Sequence, residues 1–225
     1  MLHVENEIQA LKDQLISMWD AVISQLEKTQ QALESGDRDL ALEVQAAERR
    51  INAYELSIDR VCEDFIALLQ PVASDLRFVL TTLKINTNLE RIGDIACGIS
   101  EFISDQDTQF NLEIIKHLEA DRMLALSVEM VKNLREAYIM ENTLKARTVY
   151  KRDRTLDKIN DVASYRTIEC LDKYPDLRRE SLHILSIVRK IERIGDQSKN
   201  IAEEIIFNIE AKVIKHKRKE KDREE

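Results

Sequence analysis

The chain has 225 residues, with 34 Lys and Arg against 42 Asp and Glu, giving a formal net charge of −8. Hydrophobic residues make up 44 % of it, and only 4 Gly and 2 Pro are present. This excludes a many-stranded sheet protein for want of turns, a disordered chain for its apolar content, and a general nucleic-acid binder for want of a basic surface.

In chain order, the first predicted helix runs near 5–34 and carries Met18 and Trp19, read as core residues. Ser35-Gly36-Asp37 supplies a glycine stop and an aspartate start. The second helix, 38–69, is marked by Val44, Ala47, Ile51, Tyr54, Ile58, Val61, Phe65 and Leu68 at alternating steps of three and four. Pro71 breaks it, and Ser74 and Asp75 are placed to cap a third helix over 75–104, striped by Ile85, Leu89, Ile92, Ala96, Ile99 and Ile103. The polar run from Ser104 to Thr108 precedes a fourth helix, 108–140. Asn142-Thr143 is a weaker break before a fifth helix, 143–173. Pro175-Asp176 ends that helix, and the sixth, 177–215, is striped by Ile187, Ile191, Ile194, Ser198, Ile201 and Ile205. The fold class is all-α: six long helices whose short connections make neighbours antiparallel.

No stretch approaches the roughly 18 apolar residues of a membrane span. Glu5 and Glu7 stand where a secretory signal would carry bases, so the expected location is cytoplasmic. Cys62, Cys97 and Cys170 form no CxxC pair and are read as reduced, mostly packed thiols. The basic run Lys215, His216, Lys217, Arg218 and Lys219 is offset by Glu220, Asp222, Glu224 and Glu225, and reads as a solvated helix end. Arg77 and Arg178, near two helix starts, are read as capping or salt-bridging groups.

The strongest signal is an internal repeat. Glu90-Arg91-Ile92-Gly93-Asp94 recurs as Glu192-Arg193-Ile194-Gly195-Asp196, 102 residues later, and Leu80, Leu83, Ile85, Ile99 and Glu101 match at the same offset. The chain reads as two tandem three-helix bundles, 1–105 and 106–217, followed by a charged tail, 218–225. Gly93 and Gly195 lie inside helices, where glycine costs about 1 kcal/mol relative to alanine, so a neighbouring helix or a ligand must approach there.

Glu90 and Asp94 lie one turn apart on one face. In a hairpin turning at Pro71, Glu48 and Asn52 come level with them; in the second half, Asp153 and Asp157 come level with Glu192 and Asp196. Facing oxygen donors of this kind suit hard cations and repel one another without one. The alternative is neutralisation by Arg49, Arg50, Arg91, Arg154 and Arg193. No histidine enters either motif, since His3, His117, His183 and His216 lie elsewhere, which argues against di-iron oxidase and catalytic zinc centres.

Gln70-Pro71-Val72-Ala73-Ser74-Asp75-Leu76-Arg77, Leu89 to Asp94, and Ile191 to Glu204 together resemble the PhoU family, over about residues 10–210. The resemblance implies two similar three-helix bundles, a homodimer, and metal-binding E(D)xxxD motifs that take iron, zinc, manganese or magnesium. It implies no catalysis. It further implies a negative regulator in phosphate homeostasis, an adaptor between the ATPase subunit of the phosphate ABC transporter and a membrane histidine kinase. Carried onto this chain, the metal residues are Glu48, Asn52, Glu90 and Asp94, then Asp153, Asp157, Glu192 and Asp196. Asn52, and Asn88 before the first motif, stand where the family usually has Asp, so the first half is expected to be the weaker site. Two other classes are weighed. A metal-dependent enzyme using the carboxylate pairs lacks a nucleophile with a neighbouring base, and a purely structural bundle would bind no metal.

Overall fold

The computed structural model describes residues 2–106 and 109–213; the expected charged tail, 218–225, and the basic run before it lie outside the described residues. Among the described residues there are eight α-helices, one 3-10 turn and no strand. The first half holds α1 (Leu2–Ser35), α2 (Arg38–Leu69) and α3 (Ala73–Ser104). The second holds α4 (Leu112–His117), α5 (Ala120–Ile139), α6 (Thr143–Arg147), α7 (Val149–Lys173), a 3-10 turn (Pro175–Leu177) and α8 (Arg178–Glu210).

Local chemistry sets most boundaries. Gly36 takes the left-handed φ of 71° that ends α1, and the Asp37 side chain accepts from Leu40 N at 2.9 Å to start α2. Asn142 caps α6 in the same way, accepting from Lys145 N at 3.0 Å. Two capping expectations are corrected. α3 begins at Ala73 with Val72 as an N-cap lacking a side-chain bond, so Ser74 and Asp75 lie inside the first turn, where the Asp75 carboxylate complements the helix dipole.

The fourth and fifth predicted helices are each broken in two. Glu119 adopts a left-handed φ of 57° between α4 and α5, and its carboxylate is held there by Arg122 and by Arg166 Nη1 at 2.5 Å. That corner lets Ile114, Ile115 and Leu118 turn inward and bury. Thr148 separates α6 from α7, its hydroxyl donating to Lys145 O at 2.7 Å.

The stripes face the core as the spacing requires. All six residues named for the third helix, and all six for the sixth, are buried. In α2, Val44, Ile51, Ile58 and Phe65 are buried, whereas Leu68, at the hairpin tip, is 77 % exposed. Met18 and Trp19 are fully buried.

α3 and α8 pack side by side and join the halves, with α1 against α5 as a second seam. Packed on α1, α2 and α8 together, α3 is buried almost all round, as a central helix must be. Among its buried polar groups, Asn86 Nδ2 donates to Glu55 O at 3.0 Å and Asp59 Oδ1 at 2.8 Å, whereas Asn86 Oδ1 and Thr82 Oγ1 have no partner among the described residues. Across the seam Lys84 pairs with the buried Glu204 at 3.2 Å. Arg77 Nε donates to Asn208 O at 3.0 Å, so it serves the unpaired carbonyls at the end of α8 rather than a free anion. No described helix is long and apolar enough to cross a membrane.

Candidate functional site

Each half carries one acidic face on its long hairpin, α2–α3 or α7–α8. The close approach that sets both comes from the motif glycines. A Cβ on Gly195 would stand 2.8 Å from Leu156 Cδ1 and 3.1 Å from Asp153 Oδ1. A Cβ on Gly93 would stand 3.1 Å from both Ile51 Cδ1 and Gln25 Oε1. What approaches the glycines is therefore the neighbouring helix, packed backbone-close so that side chains flanking the seam come level.

In the second half, Asp153 on α7 and Asp196 on α8 converge on one cation, Lys199. Its Nζ lies 3.0 Å from Asp153 Oδ2 and 2.8 Å from Asp196 Oδ1. Asp153 is only 5 % exposed, and a buried carboxylate left alone would be strongly destabilising. Burial works to lower the Lys199 pKa, but the hydrogen bonds to Asp196 and Asp153 outweigh it and raise it. Asp157 and Glu192 complete the face, each half-buried. Burial first, and then the neighbouring carboxylates, push both above the usual carboxylate range, with Lys199 opposing.

Among the described residues, no cation bridges the acids of the first half. Glu48 lies within hydrogen-bonding reach of Asp94, and burial and Asp94 raise its pKa against the opposing bond from Gln25. Gln25, itself buried, donates through Nε2 to Glu48 Oε2 at 3.0 Å and to Val44 O at 3.2 Å. Glu48 Oε1 and Gln25 Oε1 are shut from solvent and receive no hydrogen bond. Glu90 is pushed up to about 7, by burial and then by Asp94, Glu55 and Glu48, with Arg91 opposing. Glu55 is raised by burial and by Asp59 and Asp94.

Position 97 explains the difference. Cys97 is the repeat equivalent of Lys199, 102 residues earlier. Its thiol is pushed up to about 11 by burial and by Glu48, Glu101 and Asp94, with Lys190 opposing. It is neutral at pH 7 and compensates nothing.

The sequence pattern brings Glu48, Glu90 and Asp94 together in one half and Asp153, Asp157, Glu192 and Asp196 in the other. Asn52 is exposed; the further carboxylate in its half is Glu55, one turn on. Sequence reasoning missed Glu55 and Lys199, although both were signalled: Glu55 follows Glu48 by seven residues on one helix face, and Lys199 follows Asp196 by three. Among the described residues, none of Arg49, Arg50, Arg91, Arg154 and Arg193 forms a salt bridge to the motif acids. Arg50 instead bonds Tyr54 Oη at 3.2 Å.

Among the described residues, no three His, Cys, Asp or Glu side chains stand close enough to hold a metal ion as they lie. The donor chemistry nonetheless separates the halves. In the first, no ammonium among the described residues bridges the carboxylates, Arg91 opposes their charge only at Glu90 and Glu55, and two buried oxygens lack a donor, which is the donor chemistry a hard cation takes. The second does not fit one, because an ammonium already bridges two of its carboxylates.

The fold and its paired faces define an all-α tandem-repeat protein made of two copies of one helical unit. The chain belongs to the PhoU family: the family's model, "PhoU domain", matches residues 15–103 and again 120–205. It is 29 % identical over 210 residues to "Phosphate-specific transport system accessory protein PhoU" of Edwardsiella tarda, covering 93 % of this chain and 86 % of that one. It is 28 % identical, with the same coverage, to the protein of that name from Escherichia coli K12. Among solved structures it is similar to PhoU from Pseudomonas aeruginosa, with a TM-score of 0.83 and 26 % identity, covering 92 % of this chain and 99 % of that one.

Proposed function

We propose that this protein is a non-enzymatic regulatory adaptor of phosphate transport. It represses the phosphate-starvation regulon and restrains uptake when phosphate is plentiful. The observation that carries this reading is the pair of family matches, one in each half, on a chain whose curated relatives are phosphate-transport accessory proteins over 93 % of its length. In this reading its partners are the ATPase subunit of the phosphate ABC transporter and a membrane histidine kinase. It acts in the cytoplasm as a homodimer, docking through helix faces and holding the kinase in its non-phosphorylating state. Deleting the gene and measuring alkaline phosphatase in phosphate-rich medium tests it. Constitutive expression is expected, and retained repression would overturn the proposal.

The first-half face is the one we assign to a divalent ion, of iron, zinc, manganese or magnesium type. Glu48, Glu55, Glu90 and Asp94 are the residues that would hold it, with Asn52 beside them as a neutral oxygen donor. Such an ion would supply positive charge that fixes the face, with no part in covalent chemistry. This reverses the ranking expected from Asn52. The reason is charge: one amide in place of one carboxylate matters less than a lysine planted among the carboxylates of the other half.

A further inference from the structure

The two halves are sequence repeats, yet their acidic faces are neutralised differently, and a single position carries the difference. In the second half the Lys199 ammonium donates to Asp153 on the opposite helix and to Asp196 on its own, at 3.0 Å and 2.8 Å. It lies between the two helices, where an ion bridging them would have to lie. Asp153 is buried, so removing the ammonium leaves a carboxylate that must find another cation or take up a proton. In the first half the same position is Cys97, a side chain too short and too weakly acidic to carry charge into the face. The basic group acting on Cys97 is Lys190 from the other half, whose Nζ lies over Gly98, and the one acting on Glu90 and Glu55 is Arg91, which forms no salt bridge to either among the described residues.

We propose that Lys199 is a tethered cation that closes the second-half face to metal, so that this duplicated chain takes up one divalent ion, in its first half, where Cys97 leaves the face open. The single-ion part rests on the metal reading of the first half given above; the closing role of Lys199 does not. The two faces are thus alternative solutions to one electrostatic problem. A tethered ammonium brings no loss of translational freedom on binding and cannot be chelated. A bound ion is exchangeable and therefore responsive to supply.

The test uses the full chain, stripped of metal and dialysed against Mn2+, with bound metal counted per chain and thermal unfolding followed with and without Mn2+. The expected counts are one ion for the unsubstituted protein, two for Lys199→Met and none for Cys97→Lys. Lys199→Met is expected to unfold at a lower temperature than the parent without Mn2+ and to recover on its addition, a recovery that a lysine with only a packing role would not produce. Adding Asp196→Asn to Lys199→Met should remove the gained ion. If the parent binds none and Lys199→Met binds one, the first-half reading fails and the closing role of Lys199 stands. Two ions on the parent would overturn the proposal. So would a gained ion that survives Asp196→Asn, or a failure of both Lys199→Met and the milder Lys199→Gln to bind more Mn2+ than the parent. Should Lys199→Met not fold unaided, refolding it with Mn2+ gives the same readout, and no rescue counts against the proposal.

Discussion

The indole Nε1 of Trp19 donates to the main-chain carbonyl of Val131 at 3.1 Å, tying α1 of the first half to α5 of the second. Trp19 is fully buried and its ring lies 5.7 Å from that of Tyr138. Trp19→Ala should therefore lower stability by about 4 kcal/mol. Trp19→Phe, which keeps most of the apolar area and loses only the indole bond, because the Val131 carbonyl keeps its helical partner, should cost about 1 kcal/mol. Urea unfolding followed by far-ultraviolet circular dichroism measures both; a Trp19→Phe variant as stable as the parent would show that the bond across the seam contributes nothing.

Gly195 is where the second hairpin is tightest. Valine there would drive two extra methyl groups into Leu156 and Asp153, and should destabilise by about 2–3 kcal/mol. Gly195→Ala should be much milder, because a gain of about 1 kcal/mol in helix propensity offsets part of the crowding. Chemical denaturation of the two variants, ordered as stated, checks the close approach.

A pH dependence follows from His183. Its Nδ1 lies 2.8 Å from Gln106 Nε2 and its ring lies 5.2 Å from that of Phe102, tilted by 51°, at the junction of α3 and α8. Burial and then Arg179 hold its pKa below the ordinary 6.5, with Asp105 and Glu180 opposing. The native state thus binds fewer protons than the unfolded chain just below pH 6.5, so stability present above that pH is lost as pH falls through it. Between pH 7.5 and 5.5 the thermal midpoint of the parent should fall more steeply than that of His183→Asn, which keeps a hydrogen-bond acceptor without a titrating ring. Parallel slopes would rule this out.

Glu90 is held among Glu48, Glu55 and Asp94. In metal-free protein at pH 8, Glu90→Gln should raise the thermal midpoint by relieving that repulsion, modestly because the group is only half-buried. The same substitution should weaken Mn2+ binding. Calorimetry of the metal-free variant and a Mn2+ titration read the two effects separately.

How much of this was legible beforehand depended on range. Periods of three and four residues are local, so the stripes of α3 and α8 and the Gly36-Asp37 boundary could be read from the chain. The breaks at Glu119 and Thr148 could not, because they are held by tertiary contacts such as Arg166 to Glu119 and by inward burial of Leu118. At the acidic faces, the hairpin arithmetic placed Asp153 level with Asp196 because both glycines admit the partner helix. It set Asn52 beside Glu48 but passed over Glu55, since it counted one turn of helix where the face extends over two.

The repeat, the all-α class and the residues of the two motifs were determined by sequence alone, because spacing along a helix dictates which side chains share a face. Which groups meet across helices was decided only by tertiary structure. A lysine on a helix is free to point to solvent or to fold back along the seam. Here the buried carboxylate of Asp153 draws Lys199 inward, and that electrostatic demand exists only once α7 and α8 are packed together.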